Sequence, residues 1–380
     1  MSRLTIISHT EHYLTPGGTL VGLGATVTEL NHLVAIFDTV THVAMLHTTP
    51  APASALPYTS SHIHFIALPA VGGPHGSDKL SVLFSAPTVL KTIRRALKGS
   101  DYFQFRAPTG IGVFVIPYLI FSSKKGWFKY AGNWKQAHAP LAYRFQKWLL
   151  THQSRPVTIN GFWEDQPPHC LSFENPCLTN EEVENGAVVR KHKTLQTPIN
   201  FCFVGRLEPA KGVDLIIEAF AKMDASQLSK VGQIHFVGTG SKARRYQKLA
   251  ETLAVPIVFH GVLSREAVHA VYQQCHAILL PSQSEGFPKV IAEAMNYGCV
   301  PIVSEVSSIG HYITDGQQGF LLEHISVQGL LDVLEHFLKL SKVSYVDMLQ
   351  NISTAYLEPF TYRHYNQRLR NELVSAAANR

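Results

Sequence analysis

Short apolar runs alternate along most of the chain with segments whose apolar positions recur every three to four residues. That rhythm predicts strands separated by helices, and so parallel sheets covered on both faces, in place of a sandwich or a helical bundle. In the first half, residues 4–8, 42–46, 62–68, 102–105 and 157–160 read as strands, and residues 20–37, 79–98 and 141–151 as helices. In the second half, residues 200–204, 233–237, 256–259, 277–280, 300–303 and 320–322 read as strands with helical segments between them. Each half reads as a doubly wound α/β domain. Between them lie the proline-bearing stretches 166–168 and 175–177 and the polar stretch 179–197, which together read as a linker. The expected division is therefore 1–190, then 191–355, with a closing segment 356–380 that is helical after Pro359 and packs back on the first domain.

Length changes little in this picture, because 380 residues exceed one ordinary core and call for two domains. With 46% hydrophobic and 16% charged residues the chain is a folded, soluble one. A charge of +6 favours anionic partners. No zinc-knuckle spacing, basic helix or dense Lys/Arg run accompanies it, so nucleic acid is not expected; a phosphorylated small ligand or an acidic membrane surface is. The five cysteines form no CxxC pair and the N-terminus is too short an apolar stretch for a signal peptide, which points to the cytoplasm. Residues 111–121, followed by Lys124, Lys125, Trp127 and Lys129, have two readings: a membrane-facing segment, or a buried helix with a solvated basic loop. Proline and glycine spoil a clean amphipathic pattern there and favour the buried helix. Peripheral contact with the inner face of a membrane stays open.

The chemistry concentrates after two of the expected strands. Glu285 and Glu293 flank the start of a helix that follows the apolar run 277–280, with Gly286 to turn the chain and Pro288 at the helix entrance. A helix N-terminus attracts phosphate, and carboxylates beside it accept hydrogen bonds from hydroxyls. After the strand 200–204, Arg206 and Lys211 flank another helix entrance, where a guanidinium fork and an ammonium offset the charge growing on a departing diphosphate. Both pairs fall at carboxyl ends of strands, where ligands bind in doubly wound sheets. A sugar nucleotide carries phosphate and polyol together. The plainer alternatives are ion pairs of Arg206 or Lys211 with Glu208 or Asp214, a Lys289–Glu293 surface pair, and Glu285 as a helix cap.

Taken together, Phe203-Val204-Gly205-Arg206-Leu207 with Lys211-Gly212, Pro281-Ser282 leading to Glu285 and Glu293, and Asp315-Gly316 before Gly319-Phe320-Leu321-Leu322 resemble the GT4 family of group 1 retaining glycosyltransferases. The resemblance spans residues 199–323 and is weaker before them. It implies the GT-B fold, two doubly wound parallel-sheet domains facing each other across a cleft. Position by position it implies that Arg206 and Lys211 clamp the donor diphosphate, that Glu285 touches hydroxyls of the transferred sugar, and that Glu293 binds the ribose. Catalysis would rest on Arg206, Lys211 and Glu285. The amides of Gly286 and Phe287 would lie near the phosphates, and Gly17-Gly18 would form a glycine loop facing donor and acceptor. An ordinary flexible loop is the alternative for the last.

Two departures stand out. Arg106 occupies a place where relatives offer a histidine near the reacting sugar, and Gly310-His311 stands where relatives commonly have Pro-Glu, leaving the shape of residues 304–309 open. Arg106, His9 and His12 are candidate acceptor contacts, against a structural ion pair for the first and solvated loop residues for the others. Lys129 to Trp134 reads as a sugar-stacking segment or a capped loop. The histidines form no convincing ligand set, so neither metal nor cofactor is expected beyond a nucleoside diphosphate-sugar. The expectation is a retaining glycosyltransferase acting on a glycan or glycolipid acceptor; a sugar-nucleotide epimerase or phosphorylase, or a non-catalytic nucleotide-sugar binder, are the alternatives.

Overall fold

The computed structural model describes residues 2–73 and 81–375. The chain divides into two compact units: one runs to Asn175 and takes in the chain from Tyr362 onward, and the other is Pro176–Thr361.

In the first unit, β1 (Arg3–Leu14), β3 (Thr39–His47), β5 (Ile63–Pro69), β6 (Tyr102–Ala107), β7 (Lys125–Tyr130), β8 (Val157–Ile159) and β9 (Cys170–Ser172) pair in parallel in the order β5-β3-β1-β6-β7-β8-β9. Successive residues of β6 alternate faces. Phe103 and Phe105 enter one apolar cluster with helix Gly112–Ile120, while Gln104 and Arg106 face the side built by helix Gly24–Leu33 and the chain after Tyr362. β1 runs beyond the expected residues 4–8 because its register shifts between Ile7 and Glu11, and the strand then continues into an antiparallel hairpin with β2 (Leu20–Leu23), which pairs in turn with β4 (Ala55–Pro57). The helix expected over 20–37 therefore starts only at Gly24. A side chain at position 22 would put a Cβ 2.4 Å from His12 Nε2, so glycine sets how closely the hairpin strands approach there.

Lys125–Tyr130 was not expected as a strand. Its Trp127, Phe128 and Lys129 are buried, which removes the basic loop expected for that stretch. Helix Gly112–Ile120 buries Val115, Ile116 and Leu119, the buried-helix reading of that segment, and leaves Phe121 just beyond it 89% exposed. Where one helix was expected over 79–98, helix Ala86–Lys98 follows a turn at Ser85 that separates it from helical residues 81–84; residues 79 and 80 lie outside the described residues.

The second unit has one parallel sheet of β10 (Ile199–Val204), β11 (Val231–Val237), β12 (Ile257–Gly261), β13 (Ala277–Leu280), β14 (Val300–Ser304) and β15 (Phe320–Leu322), ordered β12-β11-β10-β13-β14-β15. Two-sided burial explains the near-continuous apolar runs: every residue of β13 is buried. The order reverses between β10 and β13. A crevice opens at such a reversal, where the helices following the two strands lie on opposite faces.

The division of the chain falls after Asn175, not near residue 190. Residues read as linker form the helix Asn180–His192, closed by a capping box in which Thr179 Oγ1 accepts from the Glu182 amide and the Glu182 carboxylate accepts from the Thr179 amide. Its buried side is only Val183, Gly186 and Arg190, so the apolar period is faint. The last crossing comes at Tyr362, where helix Tyr362–Arg368 and the turn that continues it place Tyr365, Leu369 and Leu373 in the first unit's core.

Candidate functional site

The reversal between β10 and β13 brings together residues far apart in the chain. After β10, Gly205 leads to Arg206 and a short turn at Pro209–Lys211; after β13, the chain passes Pro281 and Glu285 before helix Lys289–Asn296. The two loops are tied by a hydrogen bond from the Gln283 amide to the Ala210 carbonyl, 3.0 Å. At Gly212, φ is +75° and a Cβ would lie 2.3 Å from the Pro281 carbonyl oxygen, so only glycine fits the approach.

Across this seam Lys211 Nζ lies 2.5 Å from Glu285 Oε1, with the side chains 21% and 9% exposed. Arg206 is on the same loop, 72% exposed, with Nη1 3.2 Å from Glu208 Oε1. The sequence alternatives are thus partly realised: Arg206 does pair with Glu208, but Lys211 reaches the acid of the neighbouring strand, and Asp214 instead pairs with Arg245 and accepts from the Tyr246 hydroxyl. An exposed pair such as Arg206–Glu208 contributes little and yields readily to a stronger anion.

Helix Lys289–Asn296 begins at Pro288 with no side-chain cap, leaving main-chain amides at its entrance. Phe287 is buried, its ring 4.7 Å from Tyr312 and 5.0 Å from Phe360, so its offering to a ligand is its amide and not its ring. Ser308 Oγ donates to the Gly286 carbonyl at 3.4 Å, tying the loop after β14 to the same place. That loop takes its shape from Ser307, with φ at +55°, and from Gly310, where a Cβ would stand 2.8 Å from Glu305 Oε1.

Glu293 Oε1 accepts from Arg265 Nη1 at 2.9 Å. Arg265 in turn holds Glu182 with its fork, Nε to Oε1 at 2.6 Å and Nη2 to Oε2 at 2.8 Å, and also donates to the Cys177 carbonyl. Burial works to raise the Glu182 carboxyl, but the Arg265 hydrogen bonds and charge outweigh it and hold it below its ordinary value. Sequence reasoning missed Arg265. The signal was present: it is the first residue of helix Arg265–Gln274, where a cation opposes the helix dipole and announces a carboxylate partner.

The candidates of the first unit fare differently. Gly17 and Gly18 form the exposed tip of the β1–β2 hairpin, where the Gly18 amide donates to the Thr15 carbonyl and φ is +77°. His9 is not a solvated loop residue: Nε2 is 2.9 Å from the Val71 carbonyl and Nδ1 accepts from the Gly110 amide at 3.3 Å, so both ring nitrogens are committed to main chain. Burial lowers its pKa. His12 is wholly buried, 2.8 Å from the Tyr58 hydroxyl, which is 2.6 Å from His42 Nδ1; His42 Nε2 then meets Ser8 Oγ at 2.8 Å. It lines the interior, not an acceptor surface. Arg106 Nη2 donates to Glu29 Oε1 at 2.8 Å, and Lys129 Nζ reaches the same oxygen at 2.6 Å. With Arg106 12% exposed and Lys129 and Glu29 buried, the structural ion pair prevails for Arg106, and Lys129 offers no sugar-stacking surface.

Residues 187–354 match the family described as glycosyl transferases group 1. Among curated proteins, a glycogen synthase of Thermodesulfovibrio yellowstonii is 24% identical over 42% of this chain and 32% of its own length. A D-inositol 3-phosphate glycosyltransferase of Corynebacterium aurimucosum is 29% identical over 39% of this chain and 38% of its own. The chain spans about a third of the length of the curated relatives it matches. Two solved structures superpose on nearly all of it: a sucrose-phosphate synthase of Thermosynechococcus elongatus, with TM-score 0.75, 15% identity and 100% of each chain covered, and the Anabaena HepE protein in complex with UDP-glucose, with TM-score 0.67, 14% identity, and 98% and 99% covered. No helix among the described residues is long and apolar enough to cross a membrane. The chain therefore has the GT-B fold, and its second unit belongs to the group 1 glycosyl transferases.

Proposed function

We propose that the chain is a retaining glycosyltransferase of the GT4 type that moves a sugar from a nucleoside diphosphate to a glycan or glycolipid acceptor. The observation that carries this reading is the Lys211–Glu285 pair, which joins the ends of β10 and β13 where the sheet order reverses. Before donor arrives, the ammonium and carboxylate neutralise one another. A sugar nucleotide replaces both halves of that pair, giving Lys211 a diphosphate oxygen and Glu285 sugar hydroxyls.

Arg206, exposed beside them, adds a second cation whose attraction grows as the diphosphate departs, and the uncapped amides at helix Lys289–Asn296 face the same charge. Glu293 takes the ribose. The acceptor proton passes to the leaving diphosphate on the face it leaves from, which retains the anomeric configuration. Support for this donor comes from HepE, solved in complex with UDP-glucose, and from relatives named as glycogen synthase and D-inositol 3-phosphate glycosyltransferase.

A reducing, cytoplasmic setting suits five free, buried cysteines. Membrane contact, if the acceptor is a glycolipid, falls to helix Leu141–Thr151, where Leu141, Phe145 and Trp148 are 78%, 43% and 54% exposed beside Arg144. Of residues 111–121, Phe121 alone is exposed. The reading is tested by nucleoside diphosphate release from a panel of sugar nucleotides. A transferase releases diphosphate faster once its acceptor is added and yields a product with the donor's anomeric configuration by NMR; an isomerised donor or no release at all would reject it.

A further inference from the structure

We propose that Arg265 is a positioning residue that fixes the Glu293 carboxylate for the ribose of the donor nucleotide. The proposal rests on the ribose reading of Glu293 and names what makes that carboxylate a rigid acceptor.

A glutamate side chain has several freely rotating bonds, and holding it in one geometry costs ordering entropy at the moment of binding unless something holds it beforehand. Here the holding chain can be followed atom by atom. The Thr179 amide donates to Glu182 Oε2 at 2.8 Å, within the box that caps helix Asn180–His192. Both Glu182 oxygens take the Arg265 fork, and the Cys177 carbonyl takes a further N–H from it. What remains of the guanidinium plane points Nη1 at Glu293 Oε1, 2.9 Å away.

Glu293 Oε2 accepts no hydrogen bond among the described residues, and the side chain is 12% exposed. One oxygen is thus tethered and the other is left without a protein donor among the described residues, which suits a carboxylate that accepts from a hydroxyl. Two acids share one guanidinium, so Glu293 keeps an unneutralised share of negative charge for that purpose. The position of Arg265 argues against a merely stabilising role, since a cation at the first residue of a helix is unfavourable on its own, and it is placed there facing two acids. Lysine could not replace it, because an ammonium lacks the planar fork that grips Glu182 while aiming a separate N–H at Glu293.

Calorimetry with UDP, GDP, ADP and CDP identifies the ribonucleoside diphosphate that binds, and its 2′-deoxy and 3′-deoxy forms measure what each ribose hydroxyl contributes. In the wild type we expect loss of the recognised hydroxyl to weaken binding about tenfold. In Arg265→Met the parent diphosphate weakens about tenfold while the deoxy form is unchanged, so discrimination falls towards one. That ratio does not depend on the folded fraction. Should Arg265→Met be insoluble, Glu182→Gln carries the same test, with discrimination falling at least threefold. Discrimination that persists in Arg265→Met or Glu182→Gln but vanishes in Glu293→Ala would overturn the positioning role alone. If Glu293→Ala also leaves it intact, or none of the four diphosphates binds, the ribose reading itself fails and the inference with it.

Discussion

Lys211 and Glu285 are each other's countercharge, and with 21% and 9% of the side chains exposed the pair is only partly hydrated. Removing one member leaves the other charged and poorly solvated, a larger perturbation than loss of a surface pair. Glu285→Gln frees Lys211 for phosphate while weakening the hold on sugar hydroxyls. The expected outcome is a fall in kcat of about 100-fold, some 2.7 kcal/mol, with diphosphate affinity equal to or tighter than wild type by calorimetry. Equal losses in both would mean that the acid serves the fold and not the sugar. A second residue-scale effect concerns acid. Burial first, and then the neighbouring Lys193 ammonium, lowers His276 to about 4. Its unfolded value is near 6.5, so between about 6.5 and about 4 the unfolded chain takes up a proton that the folded chain refuses, and stability falls as pH falls through that window. Above it the residue contributes no pH dependence. His276→Asn keeps an acceptor for the Asn200 amide and should lose about 2–3 kcal/mol less than wild type between pH 7 and pH 4 in urea unfolding. That Lys211, Glu285 and Arg206 lie on the loops after β10 and β13 was legible because each follows an apolar run by a few positions. His9 and His12 were not legible as structural residues, and for Arg106 an ion pair was foreseen but not its partner: whether a polar side chain at a strand end faces solvent or interior depends on partners such as Val71, Tyr58 and Glu29, remote in sequence.

The apolar strands of the second unit were readable almost to the residue, since a strand buried on both faces has to be apolar throughout. Helix Asn180–His192 was missed because it docks through a glycine and an arginine where an apolar stripe would ordinarily serve. Its capping box, Thr179-x-x-Glu182, was the better guide. At Gly186 a Cβ would lie 2.3 Å from Asn296 Oδ1 and 2.4 Å from the Asn296 carbonyl oxygen. Alanine gains about 1 kcal/mol in helix propensity, yet backbone displaced at such a contact costs typically 1–3 kcal/mol or more. Gly186→Ala is therefore expected to be destabilising on balance, by at least about 1 kcal/mol in thermal or urea unfolding, and a stabilised variant would show that the helix does not pack so closely. Thr179→Ala should cost about 1 kcal/mol by loss of the cap.

At the scale of the molecule, the rhythm of apolar runs revealed two α/β halves but misplaced their border, because proline and polar content mark where chain is exposed and not where contacts divide. The crossing at Asn175 and the return at Tyr362 make Pro176–Thr361 a continuous piece with its own sheet and core, while the first unit needs both ends of the chain. Residues 176–361 expressed alone should unfold in one cooperative step and retain binding to the nucleoside diphosphate that the whole chain binds, as calorimetry and circular dichroism would show; loss of binding in a folded fragment would place essential donor contacts outside it.

Two cations that stabilise a departing diphosphate are the centre of the proposed chemistry. The most direct measurement is diphosphate release from the preferred sugar nucleotide, with acceptor present, by the wild type and by Arg206→Ala and Lys211→Ala. Loss of one such donor is expected to lower kcat by about 100- to 1,000-fold, with Arg206→Ala keeping the wild-type unfolding midpoint because its side chain is 72% exposed. Undiminished release from folded Arg206→Ala and Lys211→Ala proteins would contradict that chemistry.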